Sequence, residues 1–136
     1  MSFLIDTDLL SMLERKKVPA KLARWIQQNE AEVFVSVVSL AELQFGVDHA
    51  PATHQPGLAA WLSDTRLKLA PATEELSETV LVRWKELLAD LKAKNRTMSC
   101  EDSLIAATAL HHGHILVTHN TRHFEPAGLP VLDPLA

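Results

Sequence analysis

The stretch SCEDSLIAATALHHGHILVTHN, residues 99–120, holds a helix and a strand in immediate succession. Ile105, Ala106, Ala109 and Leu110 recur at helical spacing, and Gly113 supplies the stop. Ile115, Leu116 and Val117 then make a short continuous apolar run, the pattern of a strand covered on both faces. Such a strand needs helices above and below it. Ala106, Ala107 and Ala109 suit that arrangement, because small side chains let a helix approach the sheet closely.

The same alternation extends outward to both ends. Phe3-Leu4-Ile5 and Val33-Phe34-Val35 read as further buried strands, and Val131-Leu132 as a weak last one. Leu9, Leu10 and Leu13 mark a first helix. Leu22, Trp25 and Ile26 mark a second, over about residues 19–28, and Leu40, Leu43 and Val47 a third that fades near Asp48. Pro51, Pro56 and Gly57 predict a loop over residues 48–57. A helix over residues 58–65 is expected to lead to a short strand at 67–69. A long helix over 73–94 then follows, with Val80, Trp84, Leu87, Leu88 and Leu91 on one face. Strands alternating with helices predict an α/β fold, a mostly parallel central sheet flanked by helices, in one domain spanning residues 1–136.

The chain has 136 residues, enough to bury one real core, and 47% of them are hydrophobic. A formal net charge of −4 argues against coating nucleic acid by bulk charge, although a local basic patch stays open. The single cysteine, Cys100, excludes a disulfide framework or cysteine zinc site within one chain and fits a reducing compartment. Asp6 and Asp8 interrupt the first apolar run, so it does not read as a signal peptide, and no apolar stretch is long enough to cross a membrane. The expectation is a soluble cytoplasmic domain.

Ligands of open α/β sheets bind at the carboxyl ends of the strands. Asp6 stands there after the first strand, Glu42 after the second, and Asn120 after the strand at 115–117, while Asp102 opens a helix. Each has an ordinary reading. Asp6 is a natural N-cap. Ser39-x-x-Glu42 and Ser99-x-x-Asp102 fit capping boxes, and Asn120 fits a turn. Their convergence on one sheet edge is harder to explain that way. Clustered carboxylates repel unless a proton or cation neutralises them, and oxygen ligands of this kind suit Mg²⁺ or Mn²⁺.

With these residues assembled, the chain resembles a PIN-domain ribonuclease, the VapC-type toxin of bacterial toxin–antitoxin pairs. The matching strings are LIDTDLLS at the start, VSVVSLAELQFG around Glu42 and MSCEDSLIAATALHHGHILVTHNTRHFEPAGLPVLDP at the end. The resemblance implies a PIN-like fold, a metal-dependent endoribonuclease and Mg²⁺ as cofactor with Mn²⁺ able to substitute. It also implies an RNA substrate such as tRNA, an inhibiting VapB-like antitoxin, and a homodimer formed through the apolar surface of the first four helices. Residue by residue, it implies Asp6, Glu42 and Asp102 as the catalytic acids, with Asp6 and Asp102 holding the metal. Asp8, Thr118 and Asn120 fall at supporting positions. Similar chains carry aspartate where this one has His123, "RDF" against "RHF". His123 is expected to face solvent or pack on a helix.

Two other readings start from the same residues. Asp-x-Asp after an apolar strand is shared with haloacid dehalogenase-like phosphatases, but Leu9-Leu10 follow here and LVTHN brings no acid pair. A PIN-like scaffold that binds RNA or a partner without cutting is the other, and retention of Asp6, Glu42 and Asp102 speaks against it. Lys94 and Arg96 are candidates for RNA phosphate contacts, while Arg15, Lys16 and Lys17 read as solvated surface. Glu101, about 100° around its helix from Asp102, is left outside the site. His111, His112 and His114 lack a neighbour in sequence that completes a zinc pattern and read as a helix C-terminus. Trp25, Trp61 and Trp84 read as packing residues.

Overall fold

Leu4 is the centre of the molecule: it is fully buried, and its backbone pairs with Phe34 on one side and Leu116 on the other. The computed structural model describes residues 1–15 and 17–136, so Lys16 lies outside the described residues. The strands are β1 (Phe3–Ile5), β2 (Val33–Ser36), β3 (Thr73–Glu74), β4 (Ile115–Val117) and β5 (Val131–Leu132). They form one sheet in the order β3-β2-β1-β4-β5, with every pairing parallel. The helices are α1 (Thr7–Met12), α2 (Ala20–Asn29), α3 (Val37–Asp48), α4 (Gln55–Leu69), α5 (Glu78–Ala93), α6 (Cys100–His112) and α7 (Thr121–Phe124).

Side-chain alternation along the strands feeds two cores. Phe3, Ile5, Val33, Val35 and Val117 point to the face covered by α1 to α4, where Leu10, Leu22, Leu40 and Leu62 meet them. Leu4 and Leu116 point the other way, onto Leu87 and Leu91 of α5, Ile105 and the alanines of α6, and Phe124. Ala106, Ala107 and Ala109 have no exposed surface, as their size predicted. Gly113 ends α6 with φ 71°, a left-handed conformation that glycine adopts without strain. Trp25 packs edge-on against Phe3 with centroids 5.1 Å apart, and Trp84 donates to Ser103 Oγ at 2.9 Å, so both are packing residues.

The middle of the chain departs from its sequence reading. The segment at 67–69 is the last turn of α4, with Leu67 76% exposed, and the edge strand lies further on at Thr73–Glu74. Residues 65–67 carry no breaker, whereas Pro71 does, and the helix runs on until a 3₁₀ turn over Ala70–Ala72. Pro56 falls in the first turn of α4 and starts that helix, where the sequence reading had a loop. The helix expected over 73–94 begins only at Glu78, after Ser77 caps it by accepting from Val80 N. The short helix α7 was not anticipated.

Candidate active site

Asp6 sits where β1 turns into α1. Its backbone N–H donates to Val117 O at 3.0 Å, carrying the ladder one step past the strand. Its Oδ1 accepts from Leu9 N at 2.9 Å, so it is an N-cap. Its Oδ2 accepts from the Thr118 hydroxyl at 2.5 Å, and Thr118 Oγ1 in turn accepts from Asn120 N at 3.0 Å. The capping role thus occupies one oxygen and leaves the group facing the sheet edge. Thr118 is fully buried, which fixes that orientation.

Glu42 arrives from α3. The helix begins at Val37, where Ser36 accepts from Val38 N at 3.0 Å, so Ser39 and Glu42 both lie inside it and form no capping box. Instead, Glu42 Oε1 accepts from the Thr7 hydroxyl at 2.7 Å. Thr7 ties α1 to α3 at this point, lying also 2.8 Å from Ser39 Oγ. The sequence reading missed Thr7, although its place between Asp6 and Asp8 was a signal.

Asp102 arrives from the first turn of α6. Ser99 is the cap and accepts from Asp102 N at 3.1 Å. The return bond of a capping box is absent among the described hydrogen bonds, and the Asp102 carboxylate lies 3.7 Å from His123 Nδ1. His123 is 62% exposed, as expected, yet it also borders the site. Asp8 accepts from Asn120 Nδ2 at 2.7 Å, which links the start of α1 to the end of β4.

These groups share a cavity of about 50 Å³ lined by Asp6, Asp8, Glu42, Asp102, Asn120 and His123. Burial raises the Asp6 carboxyl to about 6; the Thr118 and Leu9 bonds oppose the rise, and the charges of Asp8 and Asp102 add to it. Burial also raises Glu42 and Asp102, and the Thr7 bond opposes the rise at Glu42. At Asp102 the Ser99 bond and His123 oppose it, while Glu101 and Asp8 push both groups upward. Among the described residues, no lysine or arginine forms an ion pair with any of the four acids lining the cavity. The donor set is oxygen-rich and anionic, and among the described residues its one ion-pair partner is the exposed imidazole of His123. Oxygen donors of this kind suit a hard divalent cation, with Asp6 and Asp102 as the groups able to hold it.

The basic candidates divide. Lys94 pairs with Asp90 at 2.9 Å on its own helix. Arg96 lines a groove that leads to Asp102. The histidines of residues 111–114 do have a carboxylate neighbour, which sequence spacing could not reveal: Glu74 of β3 lies 2.6 Å from His112 Nε2 and 3.4 Å from His114 Nε2.

An all-parallel sheet with acids collected at its carboxyl edge defines an α/β protein with one acidic cleft. The chain belongs to the PIN-domain family, whose model matches residues 3–129. It is 30% identical to ribonuclease VapC1 of Rickettsia felis, over 97% of this chain and 96% of that one. It is 26% identical to a tRNA(fMet)-specific endonuclease VapC of Shigella flexneri, over 94% and 93%. Among solved structures, a toxin–antitoxin complex from Klebsiella pneumoniae superposes with a TM-score of 0.68 at 27% identity, covering 98% of each chain.

Proposed function

We propose that this chain is a metal-dependent endoribonuclease toxin, with residues 1–136 acting as one domain in the cytoplasm. The observation that carries the reading is the convergence of Asp6, Glu42 and Asp102 from three separate elements on one cavity, with no lysine or arginine paired to them among the described residues. Asp6 and Asp102 would hold Mg²⁺, or Mn²⁺ in its place. A bound cation of this kind supplies acidified water and neutralises charge on a phosphodiester. Glu42, held by Thr7, would accept a proton from the attacking water. Thr118 and Leu9 N orient Asp6, and the Asp8–Asn120 bond fixes the rim. Neither partner of that bond needs to touch the reacting atoms.

The substrate class is RNA, and tRNA is favoured because a relative is named as a tRNA-specific endonuclease. A small VapB-like antitoxin is the inhibitor, in keeping with the toxin–antitoxin complex of the structural neighbour. The exposed Phe45 and Leu67, on α3 and α4, are the natural start of a homodimer contact. Among the described residues, no helix is long and apolar enough to cross a membrane.

The test is cleavage of end-labelled RNA by pure protein in Mn²⁺ and in chelator. Cleavage with Mn²⁺ that is lost in Asp6→Asn is expected. RNA bound tightly but never cut, in either ion, points to the scaffold reading instead. In cells, expression should arrest growth, and the antitoxin should relieve it.

A further inference from the structure

Beside the acidic cavity, and sharing Asp102 with it, runs an open groove of about 490 Å³ whose walls carry Arg96, Arg122 and His123. We infer that this groove seats the backbone of the RNA strand next to the cut, with Arg96 and Arg122 each holding a phosphate that flanks the scissile one. The inference rests on the ribonuclease reading and adds to it the path of the substrate.

Position comes first. The groove shares Asp102 and His123 with the cavity and is not lined by Glu42, so a strand whose scissile phosphate lies among the acids can continue into it. Charge comes second. Both guanidiniums are exposed, and among the described residues neither forms an ion pair, in contrast to Lys94 and Lys68, which pair with Asp90 and Asp64. A free guanidinium offers the planar donor fork that matches a phosphate. Two of them next to an acidic centre also lower the repulsion that a polyanion would meet there.

Pre-organisation comes third. Arg96 follows a left-handed Asn95 (φ 55°) that closes α5. Its own N–H returns to Leu91 O at 2.9 Å, and that of Asn95 to Lys92 O at 3.1 Å. This paired closure fixes the backbone from which Arg96 projects. Arg122 sits in α7, which the buried Phe124 pins to the α6 side of the core. Both cations therefore stand on anchored backbone, and Ser99, the cap of α6, lines the same groove. No residue here is asked to act on the reacting atoms: Arg96 and Arg122 are positioning residues.

The experiment uses the full chain and a fluorescent single-stranded RNA that wild type cuts. Affinity is measured in chelator across a salt series, and cleavage in Mn²⁺ gives kcat and KM. Each single-strand phosphate contact contributes about 0.7 to the slope of log K against log salt. Arg96→Gln/Arg122→Gln should therefore flatten the slope by about 1.4, raise KM and leave kcat nearly unchanged. Arg96→Lys/Arg122→Lys should keep most of the slope, because the charge remains; loss of slope there too would mean that the fold was damaged and would count against the groove. A Gln pair with the wild-type slope and KM, on RNA that wild type still cuts, overturns the groove and leaves the ribonuclease reading standing. A wild-type protein that neither binds nor cuts any RNA overturns both. A slope that is unchanged for RNA while affinity for the purified antitoxin falls would reassign the groove to the antitoxin and overturn the inference.

Discussion

At the carboxyl edge of the sheet, Asp6, Asp8, Glu42 and Asp102 share one cavity, and their only ion-pair partner among the described residues is an exposed imidazole 3.7 Å away. On the α6 face of the same sheet, Glu74 lies between two imidazoles, at 2.6 Å from His112 and 3.4 Å from His114. His114 is further held by Ser2 Oγ at 2.7 Å and stacks on Phe34 with centroids 4.6 Å apart. Both clusters are polar groups gathered by tertiary structure, but they are finished differently. The Glu74 carboxylate has two imidazole partners supplied by the chain. The acidic cavity gathers four carboxylates with no lysine or arginine paired to them among the described residues, and three of them are held above their usual range, by burial first and by one another's charge second. A cluster left electrostatically incomplete is a candidate for an external cation; a complete one is a structural fastening.

The comparison can be broken most directly through activity. Asp6→Asn and Asp102→Asn should each cut RNA cleavage by at least about 100-fold, with circular dichroism unchanged, since each removes a group that would hold the metal. Glu74→Gln should stay within about twofold of wild type in the same assay, because it stands outside the cavity. Equal losses from the two clusters would erase the distinction.

Stability against pH gives the next largest effect. Asp6 titrates near 3.8 when unfolded and near 6 when folded. Below both values it is protonated in either state and costs nothing. As pH rises through that window the unfolded chain releases the proton first, so in chelator the fold loses about 3 kcal/mol by pH 7. Asp6→Asn should therefore gain several degrees in melting temperature relative to wild type on going from pH 4 to pH 7. His114 acts with the opposite sign: burial lowers its pKa from 6.5, against the pull of Glu74, so its contribution is present above that value and lost as pH falls. A difference between Asp6→Asn and wild type that does not change with pH would mean that Asp6 is an ordinary cap.

Removing the Glu74 carboxylate should cost about 1–3 kcal/mol in denaturant unfolding, the scale of leaving a buried partner such as His114 unsatisfied. Glu74→Ala should nonetheless keep the full thermal shift produced by Mn²⁺. At ten times Kd that shift corresponds to about 1.4 kcal/mol, and Asp102→Asn should lose most of it. An Mn²⁺ shift that follows Glu74 rather than Asp102 would place the ion at the histidines. The smallest effect belongs to Glu42→Gln, which keeps an oxygen for the Thr7 hydroxyl and should melt near wild type. It is expected to cleave roughly tenfold more slowly, about 1.4 kcal/mol of transition-state stabilisation.

Much of this molecule was determined locally, and those parts were legible. Continuous apolar runs at 3–5, 33–35 and 115–117 specify strands buried on both faces, because only such strands tolerate apolar residues at every position. Gly113 specifies a left-handed helix end through the one residue that adopts it without strain. Asp6, Glu42, Asp102 and Asn120 stood out because they follow those strands or lie near the start of a helix, and a parallel sheet puts its strand ends on one edge, whereas Asp8 and Thr118 were picked out only by the family resemblance. What the sequence could not settle depends on contacts far apart in the chain. The edge strand at Thr73–Glu74 is only two residues long and carries no periodicity; pairing with Val35 and Ser36 makes it a strand. Glu74 meets the histidines across some forty positions, and Thr7 reaches Glu42 across 35, so no spacing rule could pair them. His123 was read as a solvent-facing or packing residue, since nothing in its neighbours shows that α7 carries it to within 3.7 Å of Asp102. Local pattern decides which elements form, because propensity and burial act over a few residues; the balance of charge within a cluster is decided only when the fold brings distant groups into one dielectric environment.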